Sequence, residues 1–100
     1  MELLTILKAL SDETRLRILS LLVKHELNVN EIVDILGMGQ SRISRHLKIL
    51  SDAGILACRK DGLWAFYTAA VNGPAEKLIE LLRQELTVGV YLNDNKSLEL

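Results

Sequence analysis

The first third of the chain repeats apolar residues every three or four positions, which is the spacing of amphipathic helices. A stripe of leucines predicts a first helix over residues 3–10. Ser11 or Asp12 is a suitable N-cap for a second helix from about Glu13 to Lys24. The predicted apolar face of the second helix consists of Leu16, Leu19, Leu22 and Val23.

A short helix, a tight turn and a long helix are predicted next. Residues 27–29 favour an extended connection, and Asn30 is a suitable cap for a third helix that runs to residue 36. Residues 37–39, Gly-Met-Gly, form a turn, after which the spacing predicts a long helix over residues 40–53. Gly54 suits the left-handed position that follows the end of a helix.

Beyond Gly54 the apolar period changes from about 3.6 residues to 2, as in a β-strand. Two strands are predicted over residues 55–60 and 63–68, and the dipeptide Asp61-Gly62 between them favours a hairpin turn. The register predicted from this turn pairs Lys60 with Leu63, Arg59 with Trp64, Cys58 with Ala65 and Ala57 with Phe66.

A last helix is predicted to begin at Asn72-Gly73-Pro74, with proline in its first turn. Its apolar stripe consists of Leu78, Leu81, Leu82 and Leu86. The pattern is lost from Gly89 onwards. The sequence therefore predicts one mainly α domain over residues 1–88, with a small β-hairpin, and a polar tail or linker over residues 89–100.

The composition agrees with a mainly helical protein. Of the 100 residues 49% are apolar and only 4% aromatic, so Leu, Ile, Val and Ala supply the core. Cys58 is the single cysteine and cannot form an internal disulfide, and the N-terminus shows no basic segment ahead of an apolar run. No run of apolar residues approaches the length of about 18 that a membrane helix needs. We therefore expect a cytoplasmic protein with no membrane partner.

The order of elements is that of a winged helix-turn-helix, a fold that places one helix in the major groove of DNA. On a helical projection of residues 40–53, Ile43, Leu47 and Leu50 share one face and polar side chains lie opposite. Residues 40–61 contain five Lys or Arg and two Asp or Glu, although the whole chain has a net charge of -1. Such a basic surface suits phosphates and base edges. The predicted DNA-binding residues are Gln40, Ser41, Arg42, Ser44, Arg45, His46 and Lys48 on the long helix and Arg59 and Lys60 on the hairpin.

These elements resemble the ArsR/SmtB family of winged-helix repressors. The resemblance covers residues 7–69 and is carried mainly by LKALSDETRLRILSLL and by QSRISRHLKILSDAGIL across the long helix. It implies a homodimer formed by the first and last helices, which binds an inverted-repeat operator in double-stranded DNA and is released by an inducer. The leucine stripes exceed what one small core needs and fit a shared interface. The predicted interface residues are Leu3, Leu4, Leu7, Leu78 and Leu82.

The chain departs from the pattern of the family's metal sensors. Metal-sensing members commonly carry Glu-Leu-Cys-Val-Cys where residues 26–30 read Glu-Leu-Asn-Val-Asn. An asparagine amide does not replace a thiolate as a ligand for a thiophilic ion, and residues 74–100 contain no histidine for a second kind of site. We therefore predict no metal site and no cofactor, and an inducer of another, unidentified kind.

Several alternatives remain open at this level. The chain could be a winged-helix interaction module, or the DNA-binding part of a longer regulator, because residues 93–97 resemble a linker. An enzyme is disfavoured because the sequence contains no nucleophile with a paired base and no phosphate-binding glycine loop. His46 suits either packing or a phosphate contact. Cys58 suits a half-buried strand position better than a redox role, and Arg59 could simply stack on Trp64.

Overall fold

The computed structural model describes residues 2–71, 73–83 and 85. Within these residues the five predicted helices and the two predicted strands follow in the predicted order, and the predicted extended connection adds a short third strand to the sheet. The elements are α1 (Glu2–Leu10), α2 (Glu13–Leu22), β1 (Leu27–Asn28), α3 (Val29–Leu36), α4 (Gln40–Asp52), β2 (Leu56–Asp61), β3 (Trp64–Ala69) and α5 (Glu76–Leu82). The predicted winged helix-turn-helix is confirmed, with α3 and α4 as the helix-turn-helix and the β2–β3 hairpin as the wing.

Helix α2 lies at the centre of the domain and contacts α1, α4 and β3. The predicted apolar face of α2 is therefore only partly correct. Ile18 and Leu21 are fully buried although they were not assigned to that face, whereas Leu16 and Val23 are only half-buried. A helix that is packed on several sides buries more than one stripe of its surface.

Helix α3 begins at Val29, earlier than predicted, and its N-cap is Asn28 rather than Asn30. The Asn28 side-chain oxygen accepts a hydrogen bond from the Glu31 backbone N–H at 2.9 Å. The Glu31 carboxylate in turn accepts one from the Asn28 backbone N–H at 2.9 Å. This reciprocal pair is a capping box, which satisfies two backbone donors at the start of the helix. The predicted cap was wrong because Asn30 lies in the first turn, where its side chain is exposed.

The wing has a different register from the one predicted. Strand β3 lies between β1 and β2, and Asp61 pairs with Trp64, Lys60 with Ala65, Arg59 with Phe66 and Cys58 with Tyr67. The turn consists of Gly62 and Leu63 instead of Asp61 and Gly62. Gly62 has φ 62°, and no non-glycine residue of the described chain has a positive φ. Glycine at the first central position fits a type II′ turn, whereas the predicted turn required a positive φ at Asp61 as well.

The last helix follows the prediction in part. Helix α5 buries Ile79, with Leu78 and Leu82 half-buried beside it, whereas Leu81 is 79% exposed. Pro74 precedes the helix, which starts at Glu76. Leu86 and the predicted tail over residues 89–100 lie outside the described residues. Within the described part, none of the helices is both long enough and apolar enough to cross a bilayer.

The capping box predicts unequal effects of two asparagine substitutions. Asn28→Ala removes the acceptor for the Glu31 N–H and should lower the free energy of unfolding by about 1 kcal/mol. Asn30→Ala, in the exposed first turn, should change it by less than about 0.5 kcal/mol. Urea denaturation monitored by circular dichroism measures both. A larger loss for Asn30→Ala would contradict the assignment of the cap.

Candidate nucleic-acid interface

Helix α4 is held in the domain by one apolar face. Ile43, Leu47 and Leu50 are between 0% and 1% exposed and belong to the hydrophobic core. Because side chains three, four and seven positions apart lie on the same side of a helix, this burial leaves the opposite side at the surface. Ser41, Arg45 and Lys48 are exposed there, and Ser44 is half-buried. Arg42 is exposed on the flank of the helix, and Gln40 is exposed at its first residue, on the side of Ile43 and Leu47.

The N-terminal turns of α4 concentrate groups that bind anions. Ser41, Arg42 and Arg45 line a shallow surface depression. The first turn contains no acidic residue, and its N-cap Gly39 makes no side-chain hydrogen bond to the helix. The free backbone N–H groups and the two guanidinium groups therefore present positive charge at the same end of the helix. This end suits a DNA phosphate or a guanine edge.

Lys48 lies one turn further along the exposed face. Its ammonium contacts the Asp52 carboxylate at 3.2 Å, and the two side chains are 76% and 66% exposed. An exposed i,i+4 ion pair contributes little stability and is screened by salt. Lys48 can therefore exchange this partner for a phosphate at small cost.

His46 does not belong to the exposed face of α4. It is only 5% exposed, and its Nδ1 atom lies 3.2 Å from Nη1 of Arg15 on α2. The prediction of His46 as a DNA-binding residue is corrected, because the ring packs between α4 and the start of α2. Of the two alternatives that the sequence left open, the structure supports packing.

Arg59 on the wing is engaged by its own domain. Its Nη2 and Nε atoms donate to the two carboxylate oxygens of Glu26 at 2.7 and 3.2 Å. Its guanidinium also lies 4.9 Å from the centre of the Phe66 ring, its cross-strand neighbour, and 3.7 Å from the Asp61 carboxylate. The predicted stacking on Trp64 is wrong because the register places Phe66 opposite. Arg59 therefore anchors the wing to the segment before β1.

The hydrogen bonds between Arg59 and Glu26 change the ionisation of both groups. They hold the pKa of Glu26 below its usual range and raise the pKa of Arg59. Each partner favours the charged form of the other, as expected for a fork-shaped donor facing a carboxylate. The sequence did not indicate Glu26 as part of the wing, because the two residues are 33 positions apart.

The outer part of the wing carries one exposed cation and two exposed apolar side chains. Lys60 is exposed on β2. Leu63 at the turn is fully exposed, and Trp64 is 53% exposed. Cys58 is exposed rather than half-buried and pairs with Tyr67 instead of Ala65. The wing therefore offers less charge to DNA than its sequence suggested.

The described residues do not fit a metal site. Nowhere in the described ranges do three or more His, Cys, Asp or Glu side chains group in a way that could hold an ion. At the position where metal sensors carry thiolates, the Asn28 amide is occupied by the capping box of α3. We derive no metal-dependent step for this chain.

The predicted dimerisation leucines lie on two helices at the surface of one chain. Leu3, Leu4 and Leu7 on α1 are 53%, 48% and 45% exposed. Leu78 and Leu82 on α5 are half-buried. An apolar α1 face that one chain leaves exposed is typical of an interaction surface.

Comparison with known proteins supports a regulatory role for this fold. Residues 12–57 match the family model described as bacterial regulatory protein, arsR family. The uncharacterized HTH-type transcriptional regulator MJ1325 of Methanocaldococcus jannaschii is 44% identical over 78 residues, 77% of this chain and 86% of the relative. The chain belongs to the arsR family. As a member of this family it is a DNA-binding transcriptional regulator.

Two solved structures of regulators resemble this arsR-family chain. HlyU from Vibrio cholerae superposes with a TM-score of 0.74 at 36% identity, over 84% of this chain and 90% of HlyU. The Mycobacterium bovis fragment Mb0332, described as a homodimeric winged helix-turn-helix DNA-binding domain, superposes with a TM-score of 0.73 at 29% identity. That superposition covers 86% of this chain and 78% of the fragment.

The anchoring of the wing predicts how Glu26 titrates. Arg59→Gln removes the two hydrogen bonds to the carboxylate, so the pKa of Glu26 should rise towards its usual value. Lys60→Gln removes a neighbouring positive charge that does not contact Glu26, and it should leave this pKa nearly unchanged. Carboxyl ¹³C NMR titration measures both variants. Equal shifts in the two variants would show that general charge, and not the contact, lowers the pKa.

Proposed function

We propose that this arsR-family chain represses transcription as a homodimer that binds an inverted-repeat operator and is released by a non-metal inducer. The observation that carries the proposal is the orientation of α4. Its apolar side is buried, Arg45 and Lys48 are exposed on the other side, and Arg42 is exposed on the flank. A helix held in this way can enter a major groove with its cations and hydroxyls towards the DNA.

The predicted DNA-binding residues divide into three groups by their chemistry. Arg42 and Arg45 have planar forks that match either a phosphate or the O6 and N7 atoms of guanine. Gln40, Ser41 and Ser44 provide neutral donors and acceptors for base edges or phosphate oxygens. Lys48, and Lys60 on the wing, act as point charges for the DNA backbone. Arg59 is assigned to the wing's internal structure, because Glu26 and Phe66 already engage it.

The dimer follows from the exposed leucines and from the shape of an operator. We propose that Leu3, Leu4 and Leu7 of one protomer pack with Leu78 and Leu82 across a two-fold axis. Covering these side chains removes apolar surface from water, which is the main favourable term in association. A two-fold dimer then presents two α4 helices to half-sites about 34 Å apart. The homodimeric description of the Mb0332 fragment supports this arrangement.

DNA binding is tested by fluorescence anisotropy with the DNA upstream of the chain's own gene. Arg45→Ala should cost about 1–3 kcal/mol on the operator, and less on unrelated DNA, if Arg45 contacts a guanine. Lys60→Ala should weaken binding to all sequences and lower the salt slope by about 0.9 for each half-site. Lys24→Ala, exposed just after α2 and beside the end of β3 that is opposite to the wing's turn, is the charge-matched control.

Binding that is equally strong on operator and unrelated DNA, or that does not change with salt, would contradict operator recognition. Transcription in vitro from the same promoter tests the direction of regulation. We expect the transcript to decrease as the chain is added, since an operator-bound dimer blocks access to the promoter. An increase would assign the chain to activation, the role that the name of HlyU gives to that relative.

The dimer interface predicts the effect of a charge on α1. Leu4→Lys places an ammonium on a surface that is exposed in one chain, so the monomer should fold while the dimer is lost. Leu63→Lys, at the fully exposed turn of the wing, is the matched control and should leave the dimer intact. Sedimentation velocity gives the oligomeric state, and circular dichroism confirms folding. A dimer that survives Leu4→Lys unchanged would exclude this surface.

A further inference from the structure

Arg15, at the start of α2, contacts both α1 and α4. Its Nε–H donates to the backbone carbonyl of Ala9, next to the last residue of α1, at 2.5 Å. Its Nη1 atom lies 3.2 Å from Nδ1 of His46 on α4. Its own backbone N–H donates to the N-cap carboxylate of Asp12 at 3.0 Å. One side chain therefore joins the end of α1 to the middle of α4.

The chemistry of this contact determines the protonation state of His46. A guanidinium group has five N–H donors and no acceptor, so the Nδ1 atom of His46 has to accept. The imidazole is therefore neutral and carries its proton on Nε2. A proton on Nδ1 would place two donors against each other, and in the doubly protonated imidazolium it would also place two positive charges against each other.

The surroundings of His46 also favour its neutral form. Burial is the largest effect and lowers the pKa of His46, and the positive charges of Arg15, Arg45 and Arg42 lower it further, whereas Asp12 opposes them. Lys8 of α1 and Asp52 of α4 line the groove that also contains Arg15, and their charges are opposite in sign. The packing of α1, α2 and α4 therefore favours the neutral form of the His46 imidazole.

The contact supplies a constraint that the apolar packing of α4 lacks. Ile43, Leu47 and Leu50 hold the helix against the core, but hydrophobic burial is non-directional and tolerates small rotations. A hydrogen bond from Arg15 to His46 is directional, and it acts on the residue next to Arg45. The bond therefore adds a directional restraint on the rotation of α4 at the position next to Arg45.

We propose that the Arg15–His46 hydrogen bond is a pH-sensitive lock that positions the recognition helix α4 relative to α1 and α2. Protonation of His46 breaks the bond and weakens DNA binding. Arg15 and His46 are positioning residues in this arrangement and do not touch DNA. The effect on affinity rests on the proposed function, whereas the lock itself is a property of the free protein.

The direction of the pH effect separates the lock from a phosphate contact. A histidine that touches a phosphate gains charge on acidification, which strengthens DNA binding and steepens its salt dependence. A histidine whose pKa is lowered by the fold stabilises the protein above its ordinary pKa, and this stabilisation is lost as the pH falls through the lowered pKa. The lock therefore weakens both stability and DNA binding on acidification.

Operator affinity of the full chain should be measured for the wild type and two variants from pH 8 to at least one unit below the pKa of His46, which ¹⁵N NMR of the wild type locates. The chain contains two histidines, so His25→Gln is the matched control. Each pH unit below the pKa of His46 reduces the competent fraction, and hence the wild-type affinity, about tenfold. His25→Gln should follow the wild type. His46→Gln should lose this pH dependence, because its amide oxygen accepts from Arg15 and does not titrate.

A pH profile of His46→Gln that coincides with the wild type would overturn the lock, as would wild-type affinity that rises on acidification. ¹⁵N NMR of the wild type gives a second test that needs neither DNA nor a stable variant. It should show the Nε2–H tautomer for His46 at pH 8, and Arg15→Gln should alter that signature. An Nδ1–H tautomer would overturn the lock. Loss of operator binding at every pH, with the Nε2–H tautomer present, would instead overturn the proposed function and support the lock.

Discussion

The rest of the structure depends on the burial of Ile43, Leu47 and Leu50 beneath α4. These three side chains are almost completely removed from water, and each stabilises the fold by about 1.5–3 kcal/mol relative to an exposed position. Their spacing determines which side of α4 faces solvent. One face of α4 thus stabilises the domain, and the opposite face carries the predicted DNA-binding side chains. A substitution that rotates α4 would therefore affect both stability and DNA binding.

The wing illustrates how a chain with a net charge of -1 serves as a DNA-binding protein. Its cations are few, and the structure uses them unequally. Arg59, although 53% exposed, is held by Glu26 and Phe66 within the hairpin, whereas Lys60 on the same strand is exposed with no ion pair shown among the described residues. The position of each cation in the structure, more than the net charge of the chain, therefore determines whether it is available to DNA.

Much of this architecture could be predicted from local patterns. The change of period after Gly54 separated helices from strands, and the spacing of Ile43, Leu47 and Leu50 identified the exposed face of α4. The cap of α3 was missed although the pattern Asn28-x-x-Glu31 was present, because Asn30 satisfies the same single-residue preference. The hairpin register was missed because Asp61-Gly62 and Gly62-Leu63 are both acceptable turns, and only the backbone at Asp61, which lacks the positive φ that the predicted turn requires, distinguishes them.

Contacts between distant residues could not be derived in this way. Arg15 and His46 are 31 positions apart, and Glu26 and Arg59 are 33 apart. Helical or strand periodicity carries no information at such separations. The preferences of single residues indicate that a charged side chain faces solvent or forms an ion pair, but they do not identify the residue with which it pairs. His46 was therefore left between packing and a phosphate contact, and Arg15 was not singled out at all.

The capping box at Asn28 has a consequence for how the regulator is switched. The side chains of Asn28 and Glu31 satisfy two backbone N–H groups at the start of α3. An ion bound there would have to displace these two hydrogen bonds. With cysteine at this position, the start of α3 could be altered by a bound ion. With asparagine, the start of α3 is closed by hydrogen bonds within the chain and does not depend on a ligand. Under the proposed function, control of such a protein would act at another surface of the proposed dimer, or through the solution conditions that the whole domain experiences.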